Sequence, residues 1–342
     1  MKKWISYCLI CFIAVLLVSC SAAPVKQSPE DKNPPTSSKD SAKVPKSKQE
    51  KQEKQEKKES SENKDQKKPD KSAPEPSKAG GLSLDDVPMG FGFADEKGGR
   101  LLVSYYKDED DEYAVGPEEY TLAIGPYGEL VNIKYVGWQE ESEESNYREV
   151  SDNFDNLAGY VYRTSGGRLR ANRTYVVTTE GPFIDSLIKL NPPHPDPDDP
   201  YLNTEALMMG LKTEDYIATL KKRKVQWAEL LSVTGEGGQI GLTLFKRKGD
   251  NMLFSIVYLD GPEALFWDCE AEYDEYSTWR VDMGDEPGDF RPLFLARLGG
   301  RLVLLLTWGA PEGEGIVMLC EDEGKFTERE DGYYYSRYWS PM

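Results

Sequence analysis

"LFLARLGGRLVLLLTWGAPEGEGIVMLCE", residues 293 to 321, decides how the folded part of this chain is read. Its apolar runs are cut first by Gly299-Gly300 and then by Pro311-Glu312. A short link containing glycine between two apolar runs is the signal of a tight hairpin. Carried to residue 330, the pattern gives four strands at about 291–298, 301–308, 315–320 and 325–330. The same pattern occurs 51 residues earlier, in "LTLFKRKGDNMLFSIVYLDGPEALFWDCE" (242–270), where Gly249 falls on Gly300, Leu253 on Leu304 and Cys269 on Cys320. Pro262-Glu263 and Pro311-Glu312 are two residues out of step, so the loops differ in length. "GGRLLVSYY" (98–106) echoes "GGRLVLLL" (299–306).

Four-stranded meanders of about 50 residues are the unit of β-propellers. The expectation for residues 81–342 is a mainly β domain of antiparallel four-stranded meander repeats, propeller-like. A β-sandwich or two packed β-domains are the rival architectures. The middle of the chain breaks the pattern. A short helical insertion is expected near 204–224, where Thr213 reads as an N-cap and Glu214 and Asp215 follow in the first turn. Lys221 to Lys224 then suit the C-terminal end of a helix dipole.

The chain carries a formal charge of −18, unevenly spread. Residues 26–78 hold 15 Lys and 11 Asp or Glu, and Lys2 and Lys3 add two more positive charges, which leaves −24 on residues 79–342. Recognition of nucleic acid rests on cationic contacts, so a domain this acidic excludes it as a partner.

His194, the only histidine, lies in "NPPHPDPDDP" (191–200). A triad needs a histidine held at a fixed angle, and a proline-rich extended segment is poor support. The stretch reads as a spacer, with a weak cation site and catalysis as its alternatives. A single histidine rules out any multi-histidine metal site. The acidic loops "KDEDDEY" (107–113) and "DMGDEPGDF" (282–290) read as solvated caps of sheet edges. Calcium is their alternative occupant, against which stands the lack of regular ligand spacing. No other cofactor is expected, and no nucleophile elbow, phosphate loop or dinucleotide fingerprint is present.

Near the C-terminus, "DGYYYSRYWS" (331–340) gathers aromatic side chains. Tyr333, Tyr335, Tyr338 and Trp339, beside carboxylates and Arg337, are the candidates for stacking a sugar ring, with Trp138, Trp279 and Trp308 elsewhere in the chain. The competing reading places Tyr333, Tyr335 and Trp339 on the inward face of a closing strand.

The chain begins "MKKWISYCLICFIAVLLVSC". A basic start and an apolar stretch from Ile5 to Val18, short for a membrane span, make a secretory signal. Its end, Leu17-Val18-Ser19-Cys20, resembles the lipobox of bacterial lipoprotein signal peptides. The resemblance covers residues 1–20 only. It implies removal of residues 1–19 and a diacylglyceryl group on Cys20, and two acyl chains hold a membrane stably where one does not. Localisation at the cell membrane on its extracytoplasmic face follows. Because Ser21 rather than aspartate comes next, the outer membrane is permitted where the organism has one. Residues 20–80 are expected to form a tether. Between 26 and 78 the only aliphatic residue larger than alanine or proline is Val44, too little apolar surface to offset ordering. The functional expectation is a membrane-anchored, non-catalytic β-domain that binds or scaffolds an envelope protein. The alternative is a protein that binds, or cleaves, a carbohydrate or cell-wall glycan.

Overall fold

Central strands buried on both faces carry continuous apolar runs, because neither face meets water. "MLFSIVYL" and "LVLLLTW" are such runs, and both lie mid-sheet. The computed structural model describes residues 82–103, 115–193, 207–279, 284–310, 312–329 and 335–338, all within one compact unit, Ser72–Met342. Cys20, the tether, His194, Tyr333, Trp339, the loop 107–113 and residues 282 and 283 of the second acidic loop lie outside the described residues.

The unit is mainly β with antiparallel sheets. Six strands come first: β1 Met89–Ala94, β2 Arg100–Val103, β3 Leu122–Ile124, β4 Leu130–Gln139, β5 Gly159–Thr164 and β6 Thr174–Thr178. They close into a barrel in the order β1-β2-β5-β4-β3-β6. Its interior holds Leu101, Val131, Ile133, Tyr162, Tyr175 and Val177.

The chain then passes a short helix, α1 (Pro182–Ser186), and lays down β7 (Leu187–Ile188) and β8 (Leu190–Asn191) in succession. After the helix α2 (Leu211–Lys221) comes a four-stranded meander of β9 Val225–Thr234, β10 Gln239–Phe245, β11 Asn251–Asp260 and β12 Glu263–Glu272. A second meander follows, with β13 Asp289–Leu298, β14 Arg301–Ala310, β15 Gly313–Asp322 and β16 Lys325–Glu328, and then β17 (Ser336–Tyr338). β8 extends the first meander at β9 and β7 extends the second at β13, so one five-residue stretch stitches both sheets.

One apolar cluster takes Ile240, Leu242, Phe254 and Ile256 from the first meander and Leu295, Leu304, Leu306 and Leu319 from the second. A second cluster sits on the other side of the second sheet, where Phe294, Val303, Leu305 and Met318 meet Ile124 and Val176 of the barrel. Each fully buried leucine or phenylalanine stabilises by about 1.5–3 kcal/mol relative to exposure. The outer side of the first meander is covered by α2 through Ile217, which packs with Phe245, Leu253 and Val257.

The expected strands of the last meander coincide with β13 to β16. The helix lies inside the expected 204–224, but its N-cap is Gly210 in extended backbone, and Thr213 sits within the first turn. The repeat is one strand out of step with the sheets. The 51-residue offset lays β10–β12 on β13–β15, whereas in the fold β9 runs beside β13 and β12 beside β16. Hairpins that share one apolar–glycine–apolar pattern can be slid by a strand without spoiling the match. Cys269 therefore sits on a fourth strand and Cys320 on a third. Cys269 packs on the inter-sheet cluster and Cys320 on the barrel side, and no disulfide joins them.

Candidate functional site

The densest polar network among the described residues lies where β17 joins the second meander to the barrel. β17 pairs with the start of β15, with Gly313 opposite Tyr338, Glu314 opposite Arg337 and Gly315 opposite Ser336. The strands come so close that a Cβ on Gly313 would meet the Arg337 carbonyl oxygen at 2.4 Å. Strand alternation turns Tyr335 and Arg337 inward and Ser336 and Tyr338 outward.

Arg337 has a fully buried side chain. Its Nε donates to Thr174 Oγ1 and to Glu314 Oε1, both at 2.9 Å. Nη1 donates to the Glu149 carbonyl at 2.8 Å and to Asn172 Oδ1 at 3.1 Å. Nη2 donates to the Asn172 carbonyl at 2.7 Å and to Glu314 Oε1 at 2.5 Å. The Thr174 hydroxyl donates to the same Glu314 oxygen. The guanidinium also lies 5.5 Å from the centre of the Phe93 ring. A buried ion pair is tolerated only when its remaining donors are satisfied. Arginine has five N–H donors, and every nitrogen here has partners.

Tyr335 seals the side of this network. Its ring stacks on Phe91 at 5.6 Å with an 18° tilt, and its hydroxyl donates to Glu149 Oε2 at 2.9 Å. Burial pushes the phenol well above its ordinary range, and the neighbouring Glu149 charge adds to this against the opposing Arg337. Of the stacking candidates, Tyr335 thus belongs to the packed interior, as the inward-face reading expects. Tyr338 is 52% exposed, with the Arg148 guanidinium 5.0 Å from its ring centre. Tyr147, the neighbour of Arg148 in the chain, is 67% exposed.

The other aromatic candidates are dispersed. Trp279 is buried in the inter-sheet cluster, edge-on to Phe254 at 4.8 Å. Trp308 is half-buried against the same cluster. Trp138 is 40% exposed and meets Tyr160 edge-on at the barrel.

Among the described residues, no group of three or more His, Cys, Asp or Glu side chains could hold a metal ion. In the second acidic loop Asp289 pairs with Arg291 at 3.1 Å. Two carboxyls elsewhere are perturbed, Asp155 being held below the usual range chiefly by its hydrogen bond from Arg100. Burial raises Glu229 above the usual carboxylate range, Asp289 raises it further, and Arg291 opposes both. A cleft of about 570 Å³ lies between the Ser83–Asp85 turn and the β14–β16 edge, bridged by Arg329 and Asp85 at 2.5 Å. No described helix is long and apolar enough to cross a membrane.

Sequence reasoning set Arg337 beside exposed aromatics as part of a sugar-stacking surface, whereas the structure buries its side chain completely. The usable signal was its parity: it alternates with Tyr335, so an inward Tyr335 carries Arg337 inward as well. Its partners gave no local sign, because Thr174, Asn172 and Glu149 lie 163 to 188 residues earlier. Comparison with protein-family models, curated proteins and solved structures gives no match to this chain.

Proposed function

We propose that the chain is an extracytoplasmic lipoprotein, held at the membrane by a lipid on Cys20, whose β-domain binds or scaffolds an envelope partner without catalysis. The observation that carries the scaffolding part is the Arg337 network. It is the densest hydrogen-bonded network among the described residues, and its donors are spent on joining the barrel to the second meander. A catalytic arginine keeps donors free for a substrate. The two meanders stack in the same strand order, and we read them as a propeller-like pair with the barrel beside them rather than as a two-sheet sandwich.

The anchor is tested by Cys20→Ala. The expected result is an unlipidated chain, released or held as an uncleaved precursor, read by mass spectrometry of the mature N-terminus. Cleavage at another residue without lipid sinks the anchor. The scaffold is tested by membrane-impermeant crosslinking and pull-down, in which a protein partner is expected. The glycan reading draws its support from the exposed Tyr338 and Tyr147 with the half-buried Arg148 guanidinium beside Tyr338, aromatic surface next to a cation of the kind that stacks sugars. Retention of the protein on insoluble wall glycan, lost in Tyr338→Ala, would favour it instead.

A further inference from the structure

The strongly acidic domain has a basic face. Two short runs, Lys221-Lys222-Arg223-Lys224 and Lys246-Arg247-Lys248, are brought together where α2 ends and β10 turns into β11. Arg223 fastens them. It is buried, and its Nε donates to the Lys246 carbonyl at 3.1 Å while its two Nη atoms donate to Asn251 Oδ1 and the Asn251 carbonyl at 2.7 Å. The Lys246 amide returns a bond to the Lys224 carbonyl at 2.8 Å. Lys222, Lys224, Lys246, Arg247 and Lys248 are left exposed around this knot. Lys221 pairs with Asp268, and Arg247 lies 3.9 Å from the Tyr273 ring centre. Among the described residues, none of the five exposed cations is in an ion pair.

Apolar side chains stand on the same element. Tyr216 and Leu220, one turn apart on α2, are 38% and 43% exposed. A soluble polyanion would need only the charges, whereas cations beside an exposed apolar stripe match the boundary between lipid headgroups and acyl chains. Asp250, Glu270 and Glu272 line a shallow depression alongside. They limit the attractive region to one side of the knot, and the rest of the domain is repelled by an anionic surface. That combination selects an orientation, because electrostatic attraction and repulsion both fade within about 8 Å at physiological salt.

We propose that the 222–224 and 246–248 turns, with the Tyr216–Leu220 stripe, dock this domain onto an anionic lipid bilayer. The proposal rests on the lipid-anchor reading for its proximity alone, since an anchored domain meets the surface at high effective concentration and needs only weak affinity.

The test compares the full chain on vesicles of neutral phosphatidylcholine with the full chain on vesicles containing about a third phosphatidylglycerol. Amide hydrogen exchange is read in 211–224 and 246–251. The expected result is severalfold slower exchange in these two segments on anionic vesicles only, abolished at high salt. The quadruple variant with Lys222, Lys224, Lys246 and Lys248 each changed to Gln should lose the protection, each cation accounting for about fivefold in partitioning. Equal exchange on the two vesicle types, or protection that survives in the quadruple variant, overturns the proposal. Protection by polyphosphate in the absence of vesicles assigns the face to a soluble polyanion and overturns it too. Failure of the anchor reads differently: the chain then leaves neutral vesicles, and the docking is read as Lys-dependent co-sedimentation with anionic ones.

Discussion

Replacing Arg337 with Met leaves the Glu314 carboxylate, only 10% exposed, without this cation and removes the Arg337 donors from the carbonyls of Glu149 and Asn172. The contacts should not be summed at about 1.5–3 kcal/mol each, because the variant also relieves the desolvation of the guanidinium. Removing one partner of a buried pair costs about 3–5 kcal/mol, and that figure decides the expectation. In a domain of this size it lowers the Tm by roughly 6–20 °C, at about 2–4 °C per kcal/mol. The assay is urea unfolding of the full chain followed by tryptophan fluorescence and circular dichroism. A loss below about 1 kcal/mol with an unchanged m value would refute the reasoning. So would a companion result. Arg337→Met combined with Glu314→Leu removes both charges and should recover at least half of the loss, since apolar replacement of a whole buried pair is close to neutral. No recovery would mean that the seam is held by something other than this pair.

Cys269 and Cys320 face different clusters, so the denatured, non-reduced chain should show two reactive thiols in this region by labelling; a linked peptide would contradict the layer assignment. Burial, with Asp260 beside it, pushes the Tyr258 phenol from 10 up to about 12, so the stability it confers is complete below pH 10 and is lost as the pH rises toward 12. Tyr258→Phe should flatten the fall in stability across that window, and an unchanged slope would disprove the coupling. Glu229 is raised in the fold, so the native state carries a cost above the carboxylate range that disappears in acid. Glu229→Gln should accordingly stabilise the protein at pH 7 and do little near pH 4, which paired melting curves would show.

The last meander was legible because each of its turns carries its own glycine or proline signal and each strand is long enough to show a run. The barrel was not. Its β3 is three residues long, and its closure pairs Met89 with Thr178, a contact with no trace in local pattern. The repeat was real as a pattern and misplaced by a strand, since nothing in the hairpin 239–260 marks it as the second rather than the first of its sheet. The C-terminal aromatics showed the same division. Alternation correctly put Tyr335 inside, but an arginine on that face is admissible only once Glu314, Thr174 and Asn172 surround it, and the chain brings those together from two distant places.

The clasp at Arg337 also imposes an order in time. A chain emerging N-terminus first releases the barrel and both meanders before Arg337 appears, and the bonds it then makes to Thr174, Asn172 and Glu149 close loops of 163 to 188 residues. Such closures are slow relative to local hairpins. In the interval Glu314 must stay wet, and Gly313 to Gly315 present an uncovered sheet edge, the kind that accepts a strand from a neighbouring molecule. This edge is where a crowded, half-finished chain is most exposed to mispairing, and β17 ends that exposure by occupying it.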